Sequence, residues 1–187
     1  MSRIILGSNS PRRRELLAAL DIDFTIDTGN DFKEGSSPET PAALYPSLMS
    51  RGKSHGFHRP LEKDEVLITS DTTVLCGDEI LGKPADKARA REMLRTLSGR
   101  EHEVITAVTL RSPEKEVTFS DSTLVWFKEL TEEEIDYYIE KYRPYDKAGA
   151  YGIQEWIGYI GITRIEGSFY NVMGFPVHRV WEELGKF

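Results

Sequence analysis

RIILGSNSPRRRELLAAL, Arg3 to Leu20, decides the class of fold. Arg3–Leu6 is a short apolar β-strand. Ser10 followed by Pro11 is a helix start signal, with serine favoured at the cap and proline at the first helical position. Leu16, Leu17 and Leu20 give that helix an apolar face. A strand that passes through a polar turn into a helix opens an α/β chain. The turn also brings backbone N–H groups to a helix N-terminus, where the dipole is already positive. Arg12 and Arg13 add guanidinium groups there, in a chain whose net charge is −7. Such a cluster disfavours the free state and strengthens capture of a polyphosphate, because guanidinium pairs bidentately with phosphate oxygens. Ser8, Ser10, Arg12 and Arg13 are therefore candidate phosphate ligands. The alternative is a Ser-Pro cap followed by solvated arginines. If the arginines grip a ligand, Arg13→Ala is expected to leave the free protein's stability nearly unchanged, whereas a large loss of stability would favour the cap. The stretch is not a P-loop, since GxxxxGK[ST] is absent.

Outward from this stretch, helices and strands alternate. Asp23–Thr28 reads as a second strand and 30–41 as a loop rich in Gly, Ser and Pro. Ala42–Phe57 reads as a helix weakened by Pro46 and Gly52. Val66–Leu75 is a strong buried strand, and Gly77-Asp78-Glu79 a hairpin turn. Asp86–Leu97 is an amphipathic helix ended by Gly99. Glu103–Leu110 and Val117–Glu129 alternate apolar with polar, as antiparallel strands joined at Ser112-Pro113. Thr131 with Glu134 makes a capping box for a helix over Glu132–Tyr142, which Pro144 stops. A Gly-rich, aromatic stretch runs to Gly161. Ile162–Ile165 and Ser168–Val172 flank a Glu166-Gly167 turn, and Pro176–Leu184 closes as a helix. The pattern predicts α/β, with a mixed, partly antiparallel sheet flanked by helices. Its 187 residues fit one large domain or two small lobes sharing a core.

Composition narrows the classes of function. A chain that is 39% hydrophobic and 29% charged is an ordinary globular protein. No apolar run is long enough to span a bilayer, and the N-terminal one is too short for a secretory signal. Cys76 is the only cysteine, so an intrachain disulfide and a Cys-rich zinc site are excluded. These features point to the cytoplasm. The acidic balance argues against non-specific nucleic-acid binding and for a small polyanion.

Two more stretches carry chemistry. Thr69-Ser70-Asp71-Thr72-Thr73-Val74 is a polar break inside a buried strand, followed by Gly82-Lys83-Pro84. A carboxylate in mid-strand is costly unless it binds a cation or does chemistry. Asp71 is thus a candidate metal ligand or base, and Lys83 a candidate phosphate cation. Strand-end capping and a solvated lysine are the plainer reading. In Asp146-Lys147-Ala148-Gly149-Ala150-Tyr151-Gly152-Ile153-Gln154, small residues allow close approach of a flat ligand. Gln154 carries the donor and acceptor that reading a base edge needs; a tight Gly-rich turn is the alternative. Glu34 is a candidate second carboxylate, and Lys53 a further phosphate cation. The four histidines lack paired ligand spacing, and no serine sits in GxSxG.

Together these stretches resemble the Maf family of nucleoside triphosphate pyrophosphatases. Its S-x-S-P-R-R matches Ser8, Ser10, Pro11, Arg12 and Arg13. Its Asp-Thr strand motif and G-K-P turn match Asp71-Thr72 and Gly82-Lys83-Pro84. Its M-L-x-x-L-S-G-x-x-H matches Met93 to His102, and its D-K-A-G-x-Y-G-I-Q matches Asp146 to Gln154. The resemblance implies one domain over 1–187, with two lobes around a cleft and the mixed-sheet fold of inosine triphosphate pyrophosphatases, often as a homodimer. It implies hydrolysis of a nucleoside triphosphate to monophosphate and pyrophosphate, with Mg²⁺ or Mn²⁺ as cofactor. By the same resemblance, Asp71 matches the proton acceptor. Arg12, Thr72 and Gln154 match positions that set substrate choice in the dTTP/UTP branch. Arg13, Lys53 and Lys83 match phosphate-side positions, and Glu34 a carboxylate near the metal. Two spellings depart from the family. Leu48-Met49-Ser50-Arg51-Gly52-Lys53 replaces its Leu-Ala-x-x-Lys-Ala helix, and Asp31 rivals Glu34 for the acidic role. A nucleotide-binding regulator with little catalysis is the rival function, but binding alone does not need Asp71 in a strand.

Overall fold

The computed structural model describes residues 2–35 and 40–187. The chain divides into two compact units. One comprises residues 1–71, 106–121 and 174–187; the other comprises residues 72–105 and 122–173. The elements are β1 (Arg3–Leu6), α1 (Pro11–Ala18), β2 (Phe24–Ile26), α2 (Tyr45–His55), β3 (Glu65–Cys76), β4 (Glu79–Leu81) and α3 (Lys87–Leu97). After these come β5 (Glu101–Arg111), β6 (Glu116–Phe127), α4 (Glu132–Tyr142), α5 (Trp156–Gly161), β7 (Ile162–Glu166), α6 (Phe169–Val172) and α7 (Val177–Leu184). Among the described residues, seven strands form one mixed sheet in the order β2-β1-β3-β5-β6-β7, with β4 on β3. β1 runs parallel to both β2 and β3, whereas β4 on β3 and β7 on β6 are antiparallel. The mixed α/β expectation holds.

In the first unit Ile5, Phe57 and Leu67 form an apolar cluster, with Leu61 packed against it. Ser10 caps α1 by accepting from the Arg13 N–H at 3.4 Å, with Pro11 at the first helical position. α2 opens on a 3-10 turn over Ala42–Leu44. Pro46 falls in its first turn, where a missing N–H costs nothing. Gly52 does not break the helix, because a Cβ there would lie 2.3 Å from the Phe32 ring: the glycine makes room for a neighbour.

In the second unit α3, α4 and α5 pack with β3–β7 residues around Leu94, Leu97, Val125, Ile135, Tyr138 and Ile157. The Thr131–Glu134 capping box forms as read. The chain leaves α4 through Arg143 in the left-handed region. Three readings sharpen. The aromatic stretch before Gly161 contains α5, and the arm after the Glu166-Gly167 turn is the helical turn α6, capped by Ser168. The second strand shortens to Phe24–Ile26. Part of the loop read over 30–41, residues 36–39, lies outside the described residues.

Candidate active site

The first unit gathers a charged cluster by locking α2 to β3. Ser50 Oγ donates to the Thr69 carbonyl at 3.1 Å, and Thr69 Oγ1 donates to the Ser50 carbonyl at 2.8 Å. Ser50 Oγ also pairs with Thr109 Oγ1 at 3.0 Å. Lys53 lies one helical turn beyond Ser50, and Asp71 two strand positions beyond Thr69, so both continue the faces that this lock joins. Lys53 Nζ accordingly stands 2.6 Å from Asp71 Oδ1 and 2.8 Å from Glu34 Oε1. Asp31 N–H donates to the Gly56 carbonyl at 2.8 Å, and Phe32 N–H to Asn30 Oδ1 at 2.8 Å, which ties the Glu34 loop to the end of α2. Asp31 and Glu34 are both exposed, and Glu34 is the one that pairs with Lys53. Burial pushes the Asp71 carboxyl above the ordinary range, against the lowering pull of Lys53 and then Arg13.

Arg13 corrects one expectation. It is not solvated in the free protein. Its Nε donates to the Gly174 carbonyl at 2.9 Å, and its Nη1 donates to the Ser70 carbonyl at 3.0 Å and to Ser8 Oγ at 3.4 Å. Burial draws its pKa down to about 10, with Asp71 pulling the other way. Arg13 therefore ties the Ser8 turn to the strand residue before Asp71. The serine hydroxyls are engaged locally: Ser8 Oγ also accepts from the Ser10 N–H at 3.2 Å. Arg12 is half-buried one position before Arg13, close enough to oppose its charge. Tyr45, missed in the sequence, feels the charges of Asp71, Glu34 and Lys53. Its spacing of eight from Lys53 along α2 was the available signal.

The second unit holds the other three candidates. Thr72 is half-buried in β3, the first residue of this unit. Lys83 is exposed, beside the buried Pro84. The Gly149 N–H donates to the Gly82 carbonyl at 3.1 Å, which joins the Lys83 turn to the segment that ends at Gln154. Gly149 itself needs to be glycine, since its φ is +70° and a Cβ would sit 3.1 Å from Val74. Gln154 is half-buried, yet its Oε1 is buried and accepts no hydrogen bond from the described residues. Below it, Tyr138 Oη accepts from the Gly152 N–H at 3.0 Å and donates to Glu155, while Lys147 pairs with Glu155 at 3.3 Å.

Across residues 3–187 the chain matches the model of a family described as Maf-like protein. The chain belongs to the Maf family. It is 51% identical to the dTTP/UTP pyrophosphatase of Porphyromonas gingivalis, over 99% of this chain and 94% of that one. It is 48% identical to the dTTP/UTP pyrophosphatase of Parabacteroides distasonis, over 99% and 96% of the two chains. The corresponding protein of Bacteroides thetaiotaomicron is 47% identical over 98% and 95%. Among solved structures, a HAM1 protein from Coxiella burnetii covers all of both chains at a TM-score of 0.51 and 14% identity, a likeness of fold alone. In this Maf protein no helix of the described residues is long and apolar enough to cross a membrane. No group of three or more His, Cys, Asp or Glu that could hold a metal forms among them either.

Two carboxylates do fit a hard divalent cation. Asp71 and Glu34 already share one positive charge, the Lys53 ammonium, which stands between them as a cation would. Oxygen donors of this kind suit Mg²⁺ or Mn²⁺, which keep waters and take substrate phosphates to complete their shell.

Proposed function

We propose that this protein hydrolyses pyrimidine nucleoside triphosphates, dTTP and UTP foremost, to the monophosphate and pyrophosphate. The observation that carries the reading is the half-buried Asp71 carboxylate on the Lys53 ammonium, in a chain of the Maf family. A water oxygen bonds to the α-phosphorus as that phosphorus parts from the α–β bridging oxygen, and pyrophosphate leaves with the bridge. Asp71 takes the proton the water loses. Its carboxyl, pushed up by burial, is a better base than an ordinary carboxylate. Lys53, Lys83, Arg12 and Arg13 offset the charge that gathers on the phosphates, with Ser8 and Ser10 shaping the turn that receives them. Asp71 and Glu34 would hold Mg²⁺ or Mn²⁺, which when bound lowers the pKa of a coordinated water and neutralises phosphate charge.

Gln154 reads the base in this scheme. Its orphaned Oε1 can accept the N3–H of thymine or uracil, while its amide donates to a ring carbonyl. Cytosine presents an acceptor at N3, so an amide oxygen held at that position meets a second acceptor there. Thr72 supplies a hydroxyl of either polarity. The site of action is the cytoplasm, and the partner is the nucleotide; neither nucleic acid nor a membrane is required. The test is pyrophosphate release by purified protein with Mg²⁺ or Mn²⁺ across a nucleotide panel. dTTP and UTP should lead dATP, dGTP and 7-methyl-GTP. No release from any nucleotide would return the protein to the class of nucleotide-binding regulators.

A further inference from the structure

Two buried side chains of the second unit have no part in that scheme. His102 stands on β5 with 2% of its surface exposed, its ring stacked on Phe127 at 5.6 Å. Tyr151 packs edge-on against His102 at 5.4 Å and against Phe127 at 5.1 Å. His102 Nε2 and Tyr151 Oη are 2.6 Å apart, a short hydrogen bond inside an aromatic cluster. Among the described residues His102 Nδ1 has no hydrogen-bond partner. Burial keeps the imidazole neutral, drawing its pKa down to about 4, and keeps the Tyr151 phenol protonated. A neutral imidazole has one donor and one acceptor nitrogen. An orphaned buried N–H is rarer than an orphaned acceptor. The Tyr151 hydroxyl carries a proton as well, so either Nε2 or Oη can be the donor of this bond, according to the imidazole tautomer.

A leucine and a phenylalanine would fill this space without a half-satisfied polar pair. What the pair adds is a directional tie on a segment with a difficult backbone. Gly149 and Ala150 are both left-handed, at φ 70° and 59°, and Gln154 follows three residues after Tyr151. We propose that His102 is a positioning residue: through its bond to Tyr151 it fixes residues 151–154, and so sets where the Gln154 amide meets the nucleobase. The inference rests on the reading of Gln154 as the base-reading residue.

The experiment measures kcat and KM for dTTP and dCTP on purified His102→Leu, His102→Gln, Tyr151→Phe and Gln154→Ala. His102→Leu and Tyr151→Phe should lower the dTTP:dCTP ratio of kcat/KM by roughly tenfold, the scale set by misplacing one base-reading hydrogen bond. The loss should appear in KM for dTTP, with kcat at saturation kept within about twofold. His102→Gln should restore the ratio, since its amide carries both a donor and an acceptor and can pair with Tyr151 Oη in place of Nε2. If His102→Leu does not fold, Tyr151→Phe decides, because it keeps the ring and its packing. An unchanged ratio in Tyr151→Phe overturns the proposal. So does an equal fall of kcat for both nucleotides at unchanged KM, which is what a merely structural tie would give. If Gln154→Ala leaves the ratio unchanged, the base-reading role falls and this proposal falls with it. If Gln154→Ala changes the ratio and Tyr151→Phe does not, only this proposal fails.

Discussion

Asp71 and Gln154 are both half-buried polar side chains, and the molecule supports them in opposite ways. Around Asp71 the partners are ionised: Lys53 at 2.6 Å, with the charges of Arg13 and Glu34 also felt. Around Gln154 the support is neutral, since burial keeps His102 unprotonated and Tyr138 and Tyr151 protonated. Lys147 and Glu155, the charges nearest to it in the chain, pair with each other. On the proposed function, the difference corresponds to the two halves of a nucleotide. A triphosphate needs cations and a carboxylate that can take a proton, and such groups act at whatever base is attached. A base carries no charge, so it can be told from another only by hydrogen bonds that are made or left unmade.

The sharpest way to break the comparison is to remove the charge and keep the shape. Asp71→Asn should lower kcat by about 10²–10⁴-fold, the usual worth of a positioned acid or base, while KM for dTTP and circular dichroism change little. Pyrophosphate release near the wild-type rate from a folded Asp71→Asn protein would remove Asp71 from the chemistry. On the neutral side, Gln154→Ala should shrink discrimination against dCTP by about 1–3 kcal/mol and lower the best rate less than it lowers selectivity. A uniform loss across all nucleotides would instead make Gln154 a scaffold residue.

Arg13 crosses the comparison, because it is a charge used as a tie. Arg13→Ala deprives the Ser70 and Gly174 carbonyls of their guanidinium donor. The free protein should lose about 1–3 kcal/mol of stability, measurable by urea unfolding. Unchanged unfolding with a raised KM would return Arg13 to a purely phosphate-binding role.

What the sequence made legible follows from range. The cap at Ser10, the Thr131–Glu134 box and the long strand through Asp71 depend on neighbours a few positions away, and they formed. Lys53 and Asp71 were each picked out, but their pairing depends on the Ser50–Thr69 lock, a register between a helix and a strand that no local pattern states. The burial of Arg13 depends on a carbonyl 161 positions away. α5 lies in the Gly-rich, aromatic stretch to which the sequence pattern assigns no element. A Cβ on Gly158 would fall 1.8 Å from the Ile153 carbonyl oxygen, and one on Gly161 would fall 2.8 Å from the Phe127 ring. Those glycines permit close packing, not turning. The His102–Tyr151 bond joins two motifs that had been read separately.

The smallest effect tests whether the charged region carries a standing cost. Asp71 has its pKa raised in the folded protein, burial outweighing the pull of Lys53 and Arg13. A carboxyl raised on folding contributes stability that is full below its unfolded value of 3.8 and is lost as pH rises through its folded value. At neutral pH the wild type therefore bears the cost of an ionised Asp71, and asparagine does not. The usual objection is that deleting one partner of a buried ion pair strands the other. Here Lys53 keeps Glu34 at 2.8 Å, and its side chain is 22% exposed, so the ammonium is not left uncompensated. Asp71→Asn should consequently melt slightly above the wild type at pH 7. The gap should narrow as acid protonates Asp71 in the wild type, starting above the ordinary carboxylate range. Differential scanning calorimetry of both proteins from pH 7 down to pH 4 reads this directly. A variant that melts below the wild type at pH 7 would mean that the Lys53 pair outweighs burial, and that the Asp71 carboxylate helps hold the fold together.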